Sequence, residues 1–325
     1  MIDLKEKLYQ MFILGTEGNN IEQAIANGLG GIIFFTKDIQ TPEQIKTLIS
    51  NFKQQCKTPL FFSIDQEGGR VERTENIHNG KKYLSAKFAY KKGAKFLEKQ
   101  TTAIANELKS YGFNLNFAPC IDTNTNPNNP IIGERAFSSI AEEVIEAEKI
   151  VSSNYRKNGI IPCIKHFPGH GDANSDSHLT LPEINLPLEE MEKTHIKPFK
   201  AAINNGAEIV MIAHLHCTCF DKEQIPTSLS KNAISYLRNN LNFDGIIISD
   251  DMIMKGVAKF GEVEACEMGI KAGINMFIYR NCSDKTINII EKIYQKAIID
   301  EELRQNIENS YSKILSLKQN YEREL

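Results

Sequence analysis

Short apolar runs rich in β-branched residues recur along the chain, and longer charged segments separate them. Runs of this length and composition predict buried strands. Eight are present, at 11–15, 31–35, 60–65, 115–122, 160–166, 208–214, 245–250 and 273–279. Because these runs are almost continuously hydrophobic, we expect both faces of the sheet that they form to be covered.

Segments with helical periodicity lie between most of the predicted strands, at 42–55, 93–111, 140–158, 188–204 and 229–240. This alternation is typical of parallel βα units, and it fits both an open doubly wound sheet and a closed barrel. Two features favour the barrel: eight strands, and no glycine-rich dinucleotide fingerprint after the first strand. Without a low-complexity linker, we predict one (β/α)₈ domain over residues 1–325, closed by helices within 284–325.

Composition narrows the classes of partner. Hydrophobic residues make up 41% of the chain and charged residues 24%, as in ordinary globular proteins. A formal net charge of -3 provides no basic field for nucleic acid or an anionic membrane surface. We therefore expect a small-molecule substrate and a monomer. The charged N-terminus and the lack of a long apolar run favour the cytoplasm and argue against a membrane span.

The seven cysteines are odd in number, and several lie in apolar runs, so we interpret them as reduced thiols. Cys217 and Cys219, with His214 and His216 close by, are the one group that suggests a metal. Their spacing is not the C-x-x-C of zinc modules, and no second pair follows. We expect no metal.

Residues 165–178 carry the densest group of titratable side chains, with three histidines, two aspartates and a lysine. Pro168, Gly169 and Gly171 interrupt regular backbone there, so the segment is predicted to be a loop. The apolar run at 160–164 precedes it and would deliver Lys165 and His166 to the end of a buried strand.

Polar residues also follow other predicted strands at the point where the apolar run stops. These residues are Asp65, His214, and Ser249 with Asp250 and Asp251. In a (β/α)₈ barrel the carboxyl ends of the strands meet at one face, where active sites are built. The sequence therefore predicts a site on that face.

A carboxylate at a strand end suits a reaction with a developing cation, such as glycosyl transfer, and Asp250 is the leading candidate for a nucleophile. An acid must then protonate the leaving oxygen. His178 could do so if Asp176 orients its imidazole. Retaining glycosidases usually pair two carboxyl groups, so Glu67 and Glu134 stay open as alternatives ranked below His178.

Four motifs, in this order, resemble those of a known family: residues 64–71 with Arg73, residues 132–137, residues 165–178, and residues 249–252. The chain resembles the β-N-acetylhexosaminidases of glycoside hydrolase family 3, specifically the single-domain bacterial enzymes of peptidoglycan recycling. Two departures are Ala136, where many relatives have serine, and Asn275, where aspartate is common. The additional α/β domain of larger members is not recognisable.

The resemblance implies a (β/α)₈ barrel without a cofactor that removes terminal β-linked N-acetylglucosamine from muropeptides, with anhydro-N-acetylmuramic acid as the partner sugar. It implies a retaining double displacement with Asp250 as nucleophile and His178, held by Asp176, as acid and then base. The residues that it assigns to N-acetylglucosamine binding are Asp65, Arg73, Arg135, Lys165 and His166. The alternatives are an N-acetylglucosaminide phosphorylase on the same scaffold and a non-catalytic sugar-binding barrel.

Overall fold

The structure is a computed structural model that describes residues 3–78, 82–173 and 181–323. The strands in these ranges are β1 (Phe12–Glu17), β2 (Gly31–Phe34), β3 (Phe61–Ile64), β4 (Leu115–Asn116), β5 (Ile161–Phe167), β6 (Glu183–Ile184), β7 (Ile209–Ile212), β8 (His216–Cys217), β9 (Ile246–Asp251) and β10 (Met276–Asn281). The α-helices are α1 (Leu4–Tyr9), α2 (Ile21–Ala26), α3 (Pro42–Gln55), α4 (Ala86–Lys91), α5 (Ala94–Tyr111), α6 (Ala141–Lys157), α7 (Leu188–Thr194), α8 (Lys197–Asn204), α9 (Lys231–Ser235), α10 (Lys255–Ala258), α11 (Glu262–Ala272), α12 (Asp284–Ile299) and α13 (Glu301–Arg323).

Eight parallel strands close into a barrel in the order β1, β2, β3, β4, β5, β7, β9 and β10, and β10 pairs with β1. The short strands β6 and β8 pair with each other outside the barrel. This architecture confirms the predicted (β/α)₈ fold. No helix in the described ranges is both long and apolar enough to cross a membrane.

Local sequence explains where the helices begin and end. The Thr41 hydroxyl accepts the backbone N–H of Gln44 at the start of α3, and a proline occupies the first turn, where a missing N–H costs nothing. Helix α5 ends at Gly112, whose φ of 98° is a left-handed conformation that favours glycine. These signals explain why the predicted helical segments at 42–55 and 93–111 are confirmed within one residue.

Two expectations about element length were wrong. The strand predicted at 115–122 is regular only over β4, because Pro119 has no backbone N–H to donate. The segment still runs beside β5, where the N–H groups of Cys163 and Lys165 donate to the carbonyls of Ala118 and Pro119. The helix predicted at 188–204 is two helices, α7 and α8, because Pro198 in the first turn of α8 cannot continue a preceding helix.

The core lies on both sides of the barrel strands. Most barrel strands are fully buried over their first four residues, as expected for a sheet with filled interior and covered exterior. The C-terminal segment forms α12 and α13, which confirms its predicted helices. Helix α13 packs on α1, α11 and α12, so the chain ends against the helical layer next to where it began.

Candidate active site

Barrel strands carry the predicted site residues to one face. Asp65 directly follows β3, Lys165 and His166 belong to the last three residues of β5, and Asp250 is next to last in β9. All of these positions are carboxyl ends of parallel strands. The barrel therefore brings together side chains that are up to 185 positions apart in sequence.

Four of these side chains form a buried charge network. Arg135 donates from Nε to Glu67 Oε2 over 2.9 Å and from Nη2 to Oε1 over 2.8 Å. Lys165 Nζ lies 2.6 Å from Glu67 Oε1 and donates to Asp65 Oδ1 over 2.7 Å. The Asp65 side chain is 19% exposed, whereas those of Lys165 and Glu67 are at most 4% exposed. Asp65 is thus the end of the network that meets solvent.

Charge pairing decides the protonation states in the charge network. Burial alone would raise the pKa of Glu67, but Arg135 and Lys165 hold that pKa well below its usual range. Burial would lower the pKa of Lys165, but the carboxylates of Asp65 and Glu67 raise it above its usual value. Glu67 is therefore ionised, and its oxygens already accept from two cations. It is unsuited to act as a proton donor.

A second buried carboxylate, Asp122, fixes the ring of His166. Asp122 Oδ2 lies 2.7 Å from His166 Nδ1, and Oδ1 accepts the backbone N–H of His170 over 2.6 Å. Burial would raise the pKa of Asp122, but His166 and the hydrogen bonds hold it well below its usual range. An ionised carboxylate only accepts, so Nδ1 of His166 carries a proton. Its Nε2, 3.3 Å from Arg135 Nη2, faces the charge network.

The group that comes nearest to a metal site is Cys120, Asp122 and His166, whose ligand atoms lie within 4.8 Å of one another. Hydrogen bonds account for this arrangement, because the Cys120 thiol also donates to Asp122 Oδ2 over 3.2 Å. A metal ion here would have to replace the protons on both Cys120 and His166. The same contacts make the group a support for His166.

Asp250 is half-buried, and its Oδ1 accepts the backbone N–H of Asp251 over 2.7 Å. Burial would raise its pKa, but the neighbouring imidazoles of His166 and His214 and the ammonium of Lys165 hold it below its usual value. Asp250 is therefore a carboxylate at neutral pH. It lies among donors and keeps part of its surface open.

His214 supports the backbone that follows Asp250. Its Nε2 lies 3.1 Å from the carbonyl oxygen of Asp251, so this nitrogen carries the proton and donates. Its Nδ1 lies 2.7 Å from the Ser228 hydroxyl, and burial lowers the pKa of the ring. The neutral ring therefore accepts from Ser228. The Asp251 carboxylate points elsewhere and pairs with Arg280.

Arg73 lies in the long connection after β3. Its backbone N–H donates to Gln66 Oε1 over 2.7 Å, and its guanidinium carbon lies 5.9 Å from the centre of the Phe35 ring. Phe35 directly follows β2, so Arg73 is held at the same face of the barrel as Asp65. A guanidinium that is stacked in this way keeps its N–H donors free to turn toward a ligand.

Five predicted residues, Asp65, Arg135, Lys165, His166 and Asp250, are linked by direct contacts or by the electrostatic coupling given above. The predicted dyad of Asp176 and His178 lies outside the described residues. Of the two alternative carboxylates, Glu67 is locked in the charge network and Glu134 is exposed.

Two supporting residues, Glu67 and Asp122, were missed as positioning groups by the sequence reasoning. A signal for Asp122 was available, because it ends the apolar run at 115–122 just as Asp65 ends the run at 60–65. For Glu67 the composition of its loop suggested only a candidate acid. Its bidentate contact with Arg135, 68 positions away, is visible only in the folded protein.

A closed (β/α)₈ barrel with ionised carboxylates and fixed cations at its carboxyl face defines the class of barrel proteins whose site lies in the βα loops. The chain belongs to glycosyl hydrolase family 3: the model of the family's N-terminal domain matches residues 3–317. The predicted family membership is confirmed.

Relatives carry the same assignment. The chain is 33% identical over 271 residues to the beta-hexosaminidase of Methylococcus capsulatus, covering 81% of this chain and 79% of that protein. It is 32% identical over 282 residues to beta-hexosaminidase A of Pseudoalteromonas piscicida, covering 79% of this chain but only 47% of that protein. A solved family 3 beta-N-acetylglucosaminidase from Paenibacillus sp. is 30% identical, with a TM-score of 0.92, over 99% of this chain and 63% of that structure. The chain thus spans about half to two thirds of these two larger proteins.

Proposed function

We propose that this protein is a retaining exo-β-N-acetylglucosaminidase that removes terminal β-linked N-acetylglucosamine from peptidoglycan fragments. The names of the relatives, beta-hexosaminidase and beta-N-acetylglucosaminidase, support the sugar class. The GlcNAc-anhydro-MurNAc muropeptide and a role in cell-wall recycling come from the motif resemblance. The cytoplasmic location and the monomeric state stay predictions from the sequence.

The observation that carries the proposal is the state of Asp250. Glu67 and Asp122, the two deeply buried carboxylates around it, already accept from cations or imidazoles. Asp250 is ionised beside His166 and keeps an open surface. A carboxylate in this state can attack an anomeric carbon and can stabilise the oxocarbenium-like charge that develops there.

The proposed reaction is a double displacement. An oxygen of Asp250 attacks the anomeric carbon, the glycosidic C–O bond breaks, and His178, held by Asp176, protonates the leaving oxygen. Water then attacks the anomeric carbon, its proton passes to His178, and the ester bond to Asp250 breaks. The product keeps the β configuration because the carbon is inverted twice. The roles of Asp176 and His178 rest on their sequence motif.

The charge network supplies a rationale for sugar binding. Asp65 is exposed enough to accept hydroxyl protons, and Lys165, 2.7 Å away, can donate to a neighbouring hydroxyl. His166 and Arg135 present further donors or acceptors that Asp122 and Glu67 hold in fixed orientations. Arg73 can reach in from its stack on Phe35. Fixed polar groups of this kind bind a sugar without having to reorganise.

The test is the release of p-nitrophenol from its β-N-acetylglucosaminide by the wild type, Asp250→Asn and His178→Ala, with and without phosphate. Asp250→Asn should lose at least about 10³-fold in kcat/KM, and His178→Ala about 10²- to 10⁴-fold. The matched control is Glu134→Gln, an exposed carboxylate of the same face, which should keep wild-type activity.

Two further readouts sharpen the test. Proton NMR of the first product formed should show the β anomer, and azide added to Asp250→Ala should restore turnover as an α-glycosyl azide. An initial α anomer, or an Asp250→Asn variant with near wild-type turnover, would overturn the proposed mechanism. Turnover that requires phosphate and yields a sugar 1-phosphate would make the protein a phosphorylase.

A further inference from the structure

Two cysteines outside the proposed site have their sulfur atoms in contact. Cys217 Sγ and Cys219 Sγ lie 3.2 Å apart. The backbone turns at this point, because the N–H groups of Phe220 and Asp221 both donate to the carbonyl of Cys217, over 3.0 Å and 3.3 Å. The turn brings the two thiols together across the intervening Thr218.

The turn is held from both sides. The backbone N–H of Thr218 donates to the carbonyl of Ile184 in β6 over 3.1 Å, and the N–H of His216 donates to the carbonyl of Pro182 over 2.8 Å. His216 Nε2 donates to the carbonyl of Asp221 over 2.9 Å at the end of the turn. The contact between the thiols is thus built into a hydrogen-bonded unit.

The two thiols differ in accessibility and acidity. Cys217 is buried at 1% exposure, whereas Cys219 is partly exposed. The hydrogen bond from the Cys217 thiol lowers the pKa of Cys219, and the same contact raises the pKa of Cys217. The accessible sulfur is therefore the better nucleophile, and the buried one waits beside it as a thiol.

The other cysteines lack this arrangement. Cys56 donates to the carbonyl of Lys53, and Cys120 donates to Asp122. The remaining three, Cys163, Cys266 and Cys282, are buried. In the part of the chain that the structure describes, Cys217 and Cys219 are the pair whose sulfurs are recorded in contact.

We propose that Cys217 and Cys219 form a peroxide-reactive dithiol that closes into a reversible intrachain disulfide. The Cys219 thiolate attacks one oxygen of hydrogen peroxide, which breaks the O–O bond, releases hydroxide and leaves a sulfenic acid. The Cys217 sulfur then attacks the sulfenic sulfur, the S–S bond forms, and the hydroxyl leaves with the thiol proton as water. In sum, two thiols are oxidised and one peroxide is reduced to two waters.

The experiment treats the folded, fully reduced chain with hydrogen peroxide, alkylates the remaining thiols, and analyses tryptic peptides by mass spectrometry. Residues 201–222 form one tryptic peptide that contains these two cysteines and no others. This peptide should lose both alkylation sites, be lighter than its reduced form by two hydrogens, and recover both sites after dithiothreitol. Cys56→Ser, which removes an isolated and partly exposed thiol, should behave like the wild type.

Two variants test the order of the steps. Cys217→Ser has no resolving thiol, so the sulfenic acid on Cys219 should be trapped by dimedone. Cys219→Ser should give neither a disulfide nor a dimedone adduct on the buried Cys217. The proposal is overturned if peptide 201–222 stays doubly alkylated at peroxide doses that oxidise Cys56, or if the dimedone adduct appears on Cys217. These readouts need no enzymatic activity, so they stand apart from the proposed glycosidase function.

Discussion

Two buried lysines lie at opposite ends of the barrel and have different partners. Lys165, at the carboxyl end of β5, contacts the carboxylates of Asp65 and Glu67. Lys318, on α13, donates to Gln10 Oε1 over 2.8 Å and to the carbonyl of Gly30 over 2.7 Å. Both are at most 4% exposed. The same side chain thus meets charged partners at one end and neutral acceptors at the other.

This difference follows from the direction of the strands. Gly30 precedes β2, and the Phe61 ring, 4.7 Å below the Lys318 ammonium, opens β3, so Lys318 closes the amino end of the barrel. At the carboxyl end the strands run into long loops, and Asp65 keeps one side toward solvent. Ionised groups that can exchange a partner for a ligand belong to the second end. The first end serves stability.

Cavity size alone would have pointed to the wrong end. A cavity of about 630 Å³ lies between α3, α5 and α13 near the amino ends of the strands, and Phe61, Lys318 and Tyr321 are among its lining residues. Its lining includes none of the predicted site residues. The convergence of fixed charges therefore locates the candidate site better than volume does.

The largest effect is expected from Lys165→Met, which keeps the length of the side chain but removes its charge. Asp65 and Glu67 would then repel each other without the shared cation, and stability should fall by about 3–5 kcal/mol. Loss of a fixed donor in the site should lower kcat/KM by about 10²- to 10³-fold. Urea unfolding and p-nitrophenol release measure the two effects.

A surface lysine provides the control for Lys165→Met. Lys193 pairs with Glu189 on α7, and both side chains are more than two thirds exposed, at 69% and 76%. Lys193→Met should change stability by less than about 0.5 kcal/mol and leave turnover unchanged. Equal effects of the two substitutions would contradict the distinction between the charge network and an ordinary surface pair.

A smaller effect, on stability alone, is expected from Lys318→Met. The substitution leaves Gln10 Oε1 and the Gly30 carbonyl without this donor in a buried position, which should cost about 2–3 kcal/mol of unfolding free energy. The kcat of the folded fraction should equal that of the wild type. Lys313→Met, on the solvent side of the same helix, is the matched control. A reduced kcat in folded Lys318→Met would show that the amino end also serves the reaction.

The sequence predicted the barrel and the face of the site because both depend on local patterns. Apolar runs ended at Asp65, His166 and Asp250, and strand ends in a parallel barrel share one face. The pairing of those residues could not be predicted. His166 meets Asp122 across 44 positions, and this contact depends on the register between β5 and the irregular segment after β4. Long-range partners of this kind follow from packing, which no local pattern encodes.

The smallest effect concerns pH and should again separate the two ends of the barrel. His170, beside Asp122, is 3% exposed, and burial lowers its pKa to about 4. In the unfolded chain an ordinary histidine has a pKa of about 6.5, so between these two values the unfolded state binds more protons. Stability that is present above pH 6.5 is therefore lost as the pH falls toward 4. The loss from this one residue between pH 7 and 5 should be about 2 kcal/mol.

His170→Leu should remove that part of the pH dependence in urea unfolding measured at pH 7 and pH 5. Neither ring nitrogen of His170 has a hydrogen-bond partner within residues 3–78, 82–173 and 181–323, so an apolar side chain should be tolerated at pH 7. Lys318→Met should keep the full wild-type slope, because a lysine does not titrate in this range. If His170→Leu kept the wild-type slope, or if Lys318→Met lost it, acid sensitivity would not arise at the carboxyl end through His170.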